Sequence, residues 1–538
     1  LYTEYEQTFL DSHYFKGMVG YNYEQSTYKS LYVQRNGLLM EDSKNINLAL
    51  GESITTSGGY EKWRIGGGFF RLNYGFKDRY LLEVNGRYDG SSKFPTDQQW
   101  AFFPSASVGW RISEEPFWHV NENLFSDMKV RASYGSLGNG NVDSYNFLEL
   151  LAISTSDRVL NGAKNKYSSA PAVKPEGLTW ETATTTNVGL DFGMLQGKLR
   201  FTGDAYVRKT TDMYTVGVTL PEVFGASSPN GNYVDMTTRG WEISLTWRDR
   251  FDLAGKPFNY DVRATLSDYT SKIDRYNNST KSLSDYYEGQ TVGEIWGYVT
   301  EGLFQSQEEI DNHATQKLIK SSNKGIWYPG DVKLKDLNND GVIDYGNNTL
   351  DDHGDKKVIG NELPRYSYSF NLSADWNNIF VSAFFQGVGK QYWYPGSETL
   401  FWGQYNRPYN NMPTWHVDNY WTKDNTNAYL PRYAGYNSSL KSTPQTRYLQ
   451  NVAYLRLKSL QIGYNLPKSF ISKINMQNAR VYLSGENLFS WSPLYKHTKD
   501  FDVASIYGSD PDLTSGTSGD NYNYPVMRSI SVGVSVTF

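Results

Sequence analysis

Apolar and polar side chains alternate with a period of two through most of this chain. Over residues 528–538, Ile530, Val532, Val534, Val536 and Phe538 share one face of a strand. Ser529, Ser531, Gly533, Ser535 and Thr537 share the other, and such alternation suits a strand tilted through a bilayer or the last strand of a soluble sandwich. The same pattern predicts strands in pairs: 1–9 with 13–24, 62–76 with 79–89, 101–112 with 127–135, and 179–192 with 198–209. Further pairs are 238–248 with 257–271, 365–375 with 378–387, and 452–464 with 479–488, followed by a strand from about 526. In 452–464 the apolar set changes parity between Leu457 and Leu460, which predicts a bulge or a strand end.

The connections decide between the two architectures. Those inside pairs are short turns such as Lys77-Asp78-Arg79, Gln196-Gly197 and Asn377-Asn378. Those between pairs run through 25–61, 90–100, 136–178, 210–237, 272–364, 388–451 and 489–525. They are mostly long and rich in Gly, Asn, Ser, Tyr and Trp. Short periplasmic turns alternating with long extracellular loops mark a transmembrane antiparallel β-barrel, an all-β fold. About fifteen strands is an odd number, whereas a single-chain barrel with both ends periplasmic needs an even one. The expectation is that residues 1–538 are a C-terminal barrel portion, with Leu1 on the extracellular side and further strands outside them. Ser306-Gln307-Glu308-Glu309 fits a capping box opening a helix to about Leu318, and 113–126 has room for another helical turn.

Composition agrees. Of 538 residues 16% are aromatic, including 43 Tyr and 15 Trp, yet only 39% are hydrophobic. Mean hydropathy is -0.59. A wall with one lipid face and one wet face needs less aliphatic filling than a soluble core of this size. Net charge of -5 without a basic block argues against nucleic acid as a partner. With no cysteine, disulfide frameworks, zinc ribbons and thiol catalysis are excluded. No apolar run is long enough for a transmembrane helix.

One stretch has metal-ligating spacing. Asp336, Asn338, Asp340 and Asp344 place oxygen side chains at positions 1, 3, 5 and 9 of a loop, with Gly341 at 6 and the Val342 carbonyl at 7. This is the first part of an EF-hand-like calcium loop. Position 12 is Asn347 rather than an acid, leaving Asp351, Asp352 or Asp355 to reach back. The competing reading is a solvated acidic turn. If calcium binds, it stiffens a loop. Tyr392, Trp393, Trp402, Tyr405 and Trp415 form an aromatic cluster interleaved with amides, suited to stacking on sugar rings or to packing loops together. Arg87, Arg131, Arg200 and Arg263 fall on the polar face and line a lumen. No catalytic template appears: there is no G-x-S-x-G, P-loop or H-E-x-x-H, and the six histidines are scattered. The chain reads as a non-enzyme.

Several stretches resemble the SusC-type (starch-utilisation-system C) TonB-dependent transporters of Gram-negative outer membranes. They are Arg87-Tyr-Asp-Gly-Ser-Ser-Lys-Phe94, Phe103 to Phe117, Val130 to Gly135, Leu178 to Thr182, Asn187 to Asp191, and Gly240-Trp-Glu242. Further matches are Gly330-Asp331 through Ile359-Gly360, Trp421 through Pro431-Arg432, Tyr454 to Lys458 and the terminal Phe538. The resemblance implies a 22-stranded barrel, a plug energised through TonB, a SusD-like surface lipoprotein as a lid, and an oligosaccharide or peptide as cargo. It also implies pairing of two such complexes, Asp355 as the nearest match to the acid that follows the calcium-like run, and Phe538 as an assembly signal at the periplasmic rim. Rival readings are an ordinary siderophore or cobalamin receptor, a soluble glycan-binding or glycan-degrading β protein, and a structural surface protein.

Overall fold

The computed structural model describes the chain apart from residues 43, 122, 152, 170, 172, 175, 176, 318–325, 397, 398, 406–408, 435–442, 475 and 507–525. Its frame is a single antiparallel sheet of 15 strands in sequence order. These are β1 (Tyr2–Phe9), β2 (His13–Arg35), β3 (Ile54–Phe76), β4 (Tyr80–Ser91) and β5 (Trp100–Arg111). Next come β6 (Phe125–Asn139), β7 (Glu181–Met194), β8 (Leu199–Val216), β9 (Asn230–Leu253) and β10 (Lys256–Arg275). The sheet ends with β11 (Arg365–Trp376), β12 (Ile379–Lys390), β13 (Tyr454–Asn465), β14 (Asn478–Trp491) and β15 (Ser529–Thr537). All fifteen expected strands are present. β1 and β15 occupy its two edges and do not pair with each other among the described residues.

Short turns close one end because the backbone can twist there. Leu10-Asp11, Lys77-Asp78, Ala254-Gly255 and Asn377-Asn378 each place two successive residues at positive φ. That geometry matches the right-handed twist of the flanking strands. The first turn centres on Leu10-Asp11, whereas alternation along the flanking strands places it at Asp11-Ser12. The parity change in β13 is a bulge: Phe384 pairs with Ser459 and Phe385 with Leu457, leaving Lys458 between them.

Each strand turns its apolar set outward, and Ile530, Val532 and Val534 on β15 are all exposed. In a membrane protein that exposure is a lipid-facing belt. The strands outrun expectation on the loop side. β2 and β3 continue as a two-stranded ribbon from Gln25 opposite Arg64 to Arg35 opposite Ile54. The ribbon spans roughly 35 Å. The long segment 25–61 is therefore mostly strand, since Tyr, Thr and Val supply β-propensity even where both faces meet solvent.

The buried core lies in the loops, not the wall. Side chains from three long connections pack into one cluster containing Tyr298, Leu334, Phe401, Trp402, Tyr405, Leu430, Tyr448 and Leu494. Short pairings organise it: Thr300–Leu303 with Val332–Leu334, and Tyr392–Trp393 with Gln450–Asn451. The helix capped by Ser306 spans only Gln307–Asp311. The Ser306 side chain accepts from the Glu309 amide as a cap should, but Glu309 takes the Gln305 amide instead of closing the box. Beyond Asn312 the chain turns to pair Thr315–Gln316 in parallel with Val342–Ile343, so the expected run to Leu318 is interrupted, and Leu318 itself lies outside the described residues. Among the described residues of 113–126, a 3-10 turn forms at the start, Ile112–Glu114.

Candidate functional site

The calcium-like turn sits in the loop between β10 and β11. Its left-handed residues, Asn339 and Gly341, fold it back on itself. Asp336 caps the bend, accepting the Asn339 and Gly341 amides at 2.6 and 2.9 Å. Asn338 accepts the Asp340 amide, Asp340 the Val342 amide, and Asp344 the Gly346 amide. Of the three acids that could reach back, Asp351 pairs with Lys281 and Asp352 takes the Asn347 amide and side chain. Asp355 does reach back. Fully buried, it accepts the Leu337 and Asp344 amides at 2.7 and 2.8 Å and lashes both ends of the turn together. It has no cationic partner among the described residues. The donor set is all oxygen, as calcium requires. Each carboxylate nonetheless serves the backbone, and no three His, Asp or Glu side chains converge at metal distance among the described residues.

The aromatic cluster divides by burial. Trp402 and Tyr405 are 0% exposed and Trp393 is also buried, so these three present almost no face to a ligand. Trp402 packs edge-on against Phe401 and Tyr448, and its indole donates to the Pro395 carbonyl. Tyr405 donates to the Pro431 carbonyl at 2.7 Å. Their role here is to hold loops to one another. Tyr392 and Trp415 remain half-buried. Beside Trp415 the fully buried His416 donates through Nε2 to the Phe401 carbonyl, and burial pushes its pKa down to about 4.

Sequence reasoning missed the ion pairs that fasten this assembly. Asp331, 3% exposed, accepts two guanidinium bonds from Arg432 at 2.6 and 3.3 Å and the Tyr328 amide at 3.0 Å. Arg365 grips Asp268 with two bonds of 2.5 Å, and Arg456 reaches Asp502. Partners this far apart in sequence leave no spacing signal. On the inner wall, Arg131 forks between Asp191 at 2.9 Å and Asp204 at 2.6 Å, and Arg87 holds Asp89. At these positions the lumen face is polar and charge-matched.

A family model described as TonB dependent receptor-like, beta-barrel matches residues 2–488. TonB-dependent receptor P26 of Formosa agariphila is 29% identical over 557 residues, covering 99% of this chain and 52% of that protein. TonB-dependent receptor SusC of Bacteroides thetaiotaomicron is 26% identical over 494 residues, 87% of this chain and 43% of that one. Among solved structures, the RagAB peptide transporter superposes with a TM-score of 0.75 at 21% identity, covering 100% of this chain and 55% of its own. The chain spans about half the length of the curated relatives it matches.

Proposed function

The chain belongs to the TonB-dependent receptor β-barrel family of outer-membrane proteins, and from that premise we propose that it forms the C-terminal wall and loops of a SusC-type importer. One observation carries the reading: a fifteen-stranded sheet, lipid-facing outside and polar inside, that aligns along its whole length with the RagAB peptide transporter. In this reading the fifteen strands are part of a larger barrel closed by further strands. A plug gates the lumen and TonB supplies the energy. A SusD-like lipoprotein covers the loop face, and two such complexes pair. Nothing in the chain makes or breaks a covalent bond. Its work is to bind, enclose and pass cargo.

The cargo is an oligosaccharide or a peptide. Of the aromatic candidates, Tyr392 and Trp415 keep surface for contact, while Trp393, Trp402 and Tyr405 shape the loops beneath. Calcium at Asp336, Asn338, Asp340, the Val342 carbonyl, Asp344 and Asp355 would rigidify the loop next to that surface. Phe538 serves assembly at the periplasmic rim. The test is growth and uptake by a strain deleted for the gene, on matched panels of glycans and peptides. Loss on one panel, restored by the gene, identifies the cargo class. Unchanged uptake of every glycan and peptide, with loss of iron-siderophore or cobalamin uptake, would replace this reading with its rival.

A further inference from the structure

Above the lipid-facing belt, the outward surface of β8–β10 changes character. Val207, Trp241 and Leu266 form the top of the apolar column. Higher on the same face stand Lys209 on β8, Arg239 on β9 and, beyond Asp268 and Thr270, Lys272 on β10. Lys209 lies opposite Thr237, and Thr237 opposite Lys272, so the three form one row across three strands. Arg239, opposite Val207 and Thr270, sits one step nearer the apolar column and diagonal to both lysines. Two strand spacings put the lysine backbones about 10 Å apart, and the diagonals to Arg239 are about 7–8 Å.

All three cations are exposed, and none has a side-chain partner among the described residues. Three acids share the face. Asp268 is held by Arg365, Asp235 by Arg275, and Asp274 accepts the Thr237 hydroxyl at 2.5 Å. The patch therefore carries three free cations against one carboxylate. Elsewhere on the wall Arg87, Arg131, Lys16 and Lys198 are each matched by acids. Like charges on neighbouring strands repel, and an anion between them relieves that repulsion. The cargo path lies on the opposite face, where the Thr238 and Ser271 hydroxyls bond at 2.7 Å. An anion reaching the three cations comes from the bilayer side, at headgroup level.

We propose that Lys209, Arg239 and Lys272 bind the phosphate of an anionic outer-leaflet lipid whose acyl chains lie along Val207, Trp241 and Leu266. The inference rests on the barrel's outer-membrane placement and is independent of the cargo. Native mass spectrometry of the full-length protein, titrated with monophosphoryl lipid A, tests it. The triple variant K209Q/R239Q/K272Q is expected to bind about a hundredfold more weakly. The lumen-facing triple R200Q/R208Q/R263Q should bind as the wild type does, and the charge-retaining K209R/R239K/K272R should stay within severalfold of it. Equal binding by the outer triple and the wild type would overturn the proposal. So would equal binding of the dephosphorylated lipid. Displacement by an equimolar amount of inorganic phosphate would do the same, by marking a general anion site.

Discussion

Arg432→Met isolates the effect of one buried ion pair on the loop assembly. Asp331 is 3% exposed, and with Arg432 gone its carboxylate keeps only the Tyr328 amide among the bonds above. Stranding a buried charge destabilises by about 3–5 kcal/mol. The damage should be local, because the pair sits where Arg432 donates its amide to Gly330, Gly330 to Phe304, and Phe304 to Asp331. Hydrogen exchange on those three amides should speed up by about two to three powers of ten, at roughly 1.4 kcal/mol per power. The pH dependence sharpens the test. Burial already raises the Asp331 pKa above the ordinary carboxyl value, more than Arg432 lowers it. A raised folded pKa means the carboxyl's contribution is fully present below the unfolded pKa of about 3.9 and is lost as pH rises through the folded value. Without Arg432 the folded pKa climbs further, so the defect should be largest at neutral pH and shrink on acidification. In D331N/R432M, which has no carboxyl, the protection relative to wild type should change far less with pH. Wild-type protection at neutral pH in Arg432→Met, or a defect unchanged by acid, would refute the argument.

Four further expectations follow from burial and face. Trp402→Ala should loosen the loop cluster by about 3–5 kcal/mol, read as lost exchange protection around Phe401 and Tyr448, while Val223→Ala on an exposed loop should stay within about 0.5 kcal/mol. His416, its pKa lowered to about 4, stays neutral when folded but protonates near 6.5 when unfolded. Loop stability should therefore fall by about 3 kcal/mol as pH drops from 6.5 to 4, and His416→Phe should flatten that slope in a thermal melt. Val534→Arg should impair barrel assembly by about 2–4 kcal/mol, measured as surface abundance, whereas Ser535→Arg, facing the lumen, should assemble nearly normally. Chelation should raise exchange across 336–355 if calcium occupies the turn, and calorimetry on Asp336→Asn/Asp340→Asn should lose that binding. Identical exchange with and without calcium would leave the turn held by its own backbone bonds.

What could be read from sequence was what repeats with a period of two. Alternation marked all fifteen strands and the bulge at Lys458, because a lipid belt forces every outward side chain in the spanning region to be apolar or small. It failed above the belt. There β2 and β3 meet solvent on both faces, so no pattern distinguishes their strands from a loop. The aromatic cluster failed for a different reason. Flat, amide-flanked rings suit a sugar and suit one another equally well, and only three connections meeting in space decide that Trp402 and Tyr405 face inward. Asp331 and Arg432 show the limit from the other side: both stood in motifs that resemble the family, yet the contact joining them spans about a hundred residues and has no local signature. The basic patch lay between these extremes. Lys209, Arg239 and Lys272 are unremarkable singly, and become a site only once register sets them on one face of three neighbouring strands. In a barrel the strand register therefore carries functional information, because it converts residues scattered along the sequence into a surface with a defined charge at a defined depth.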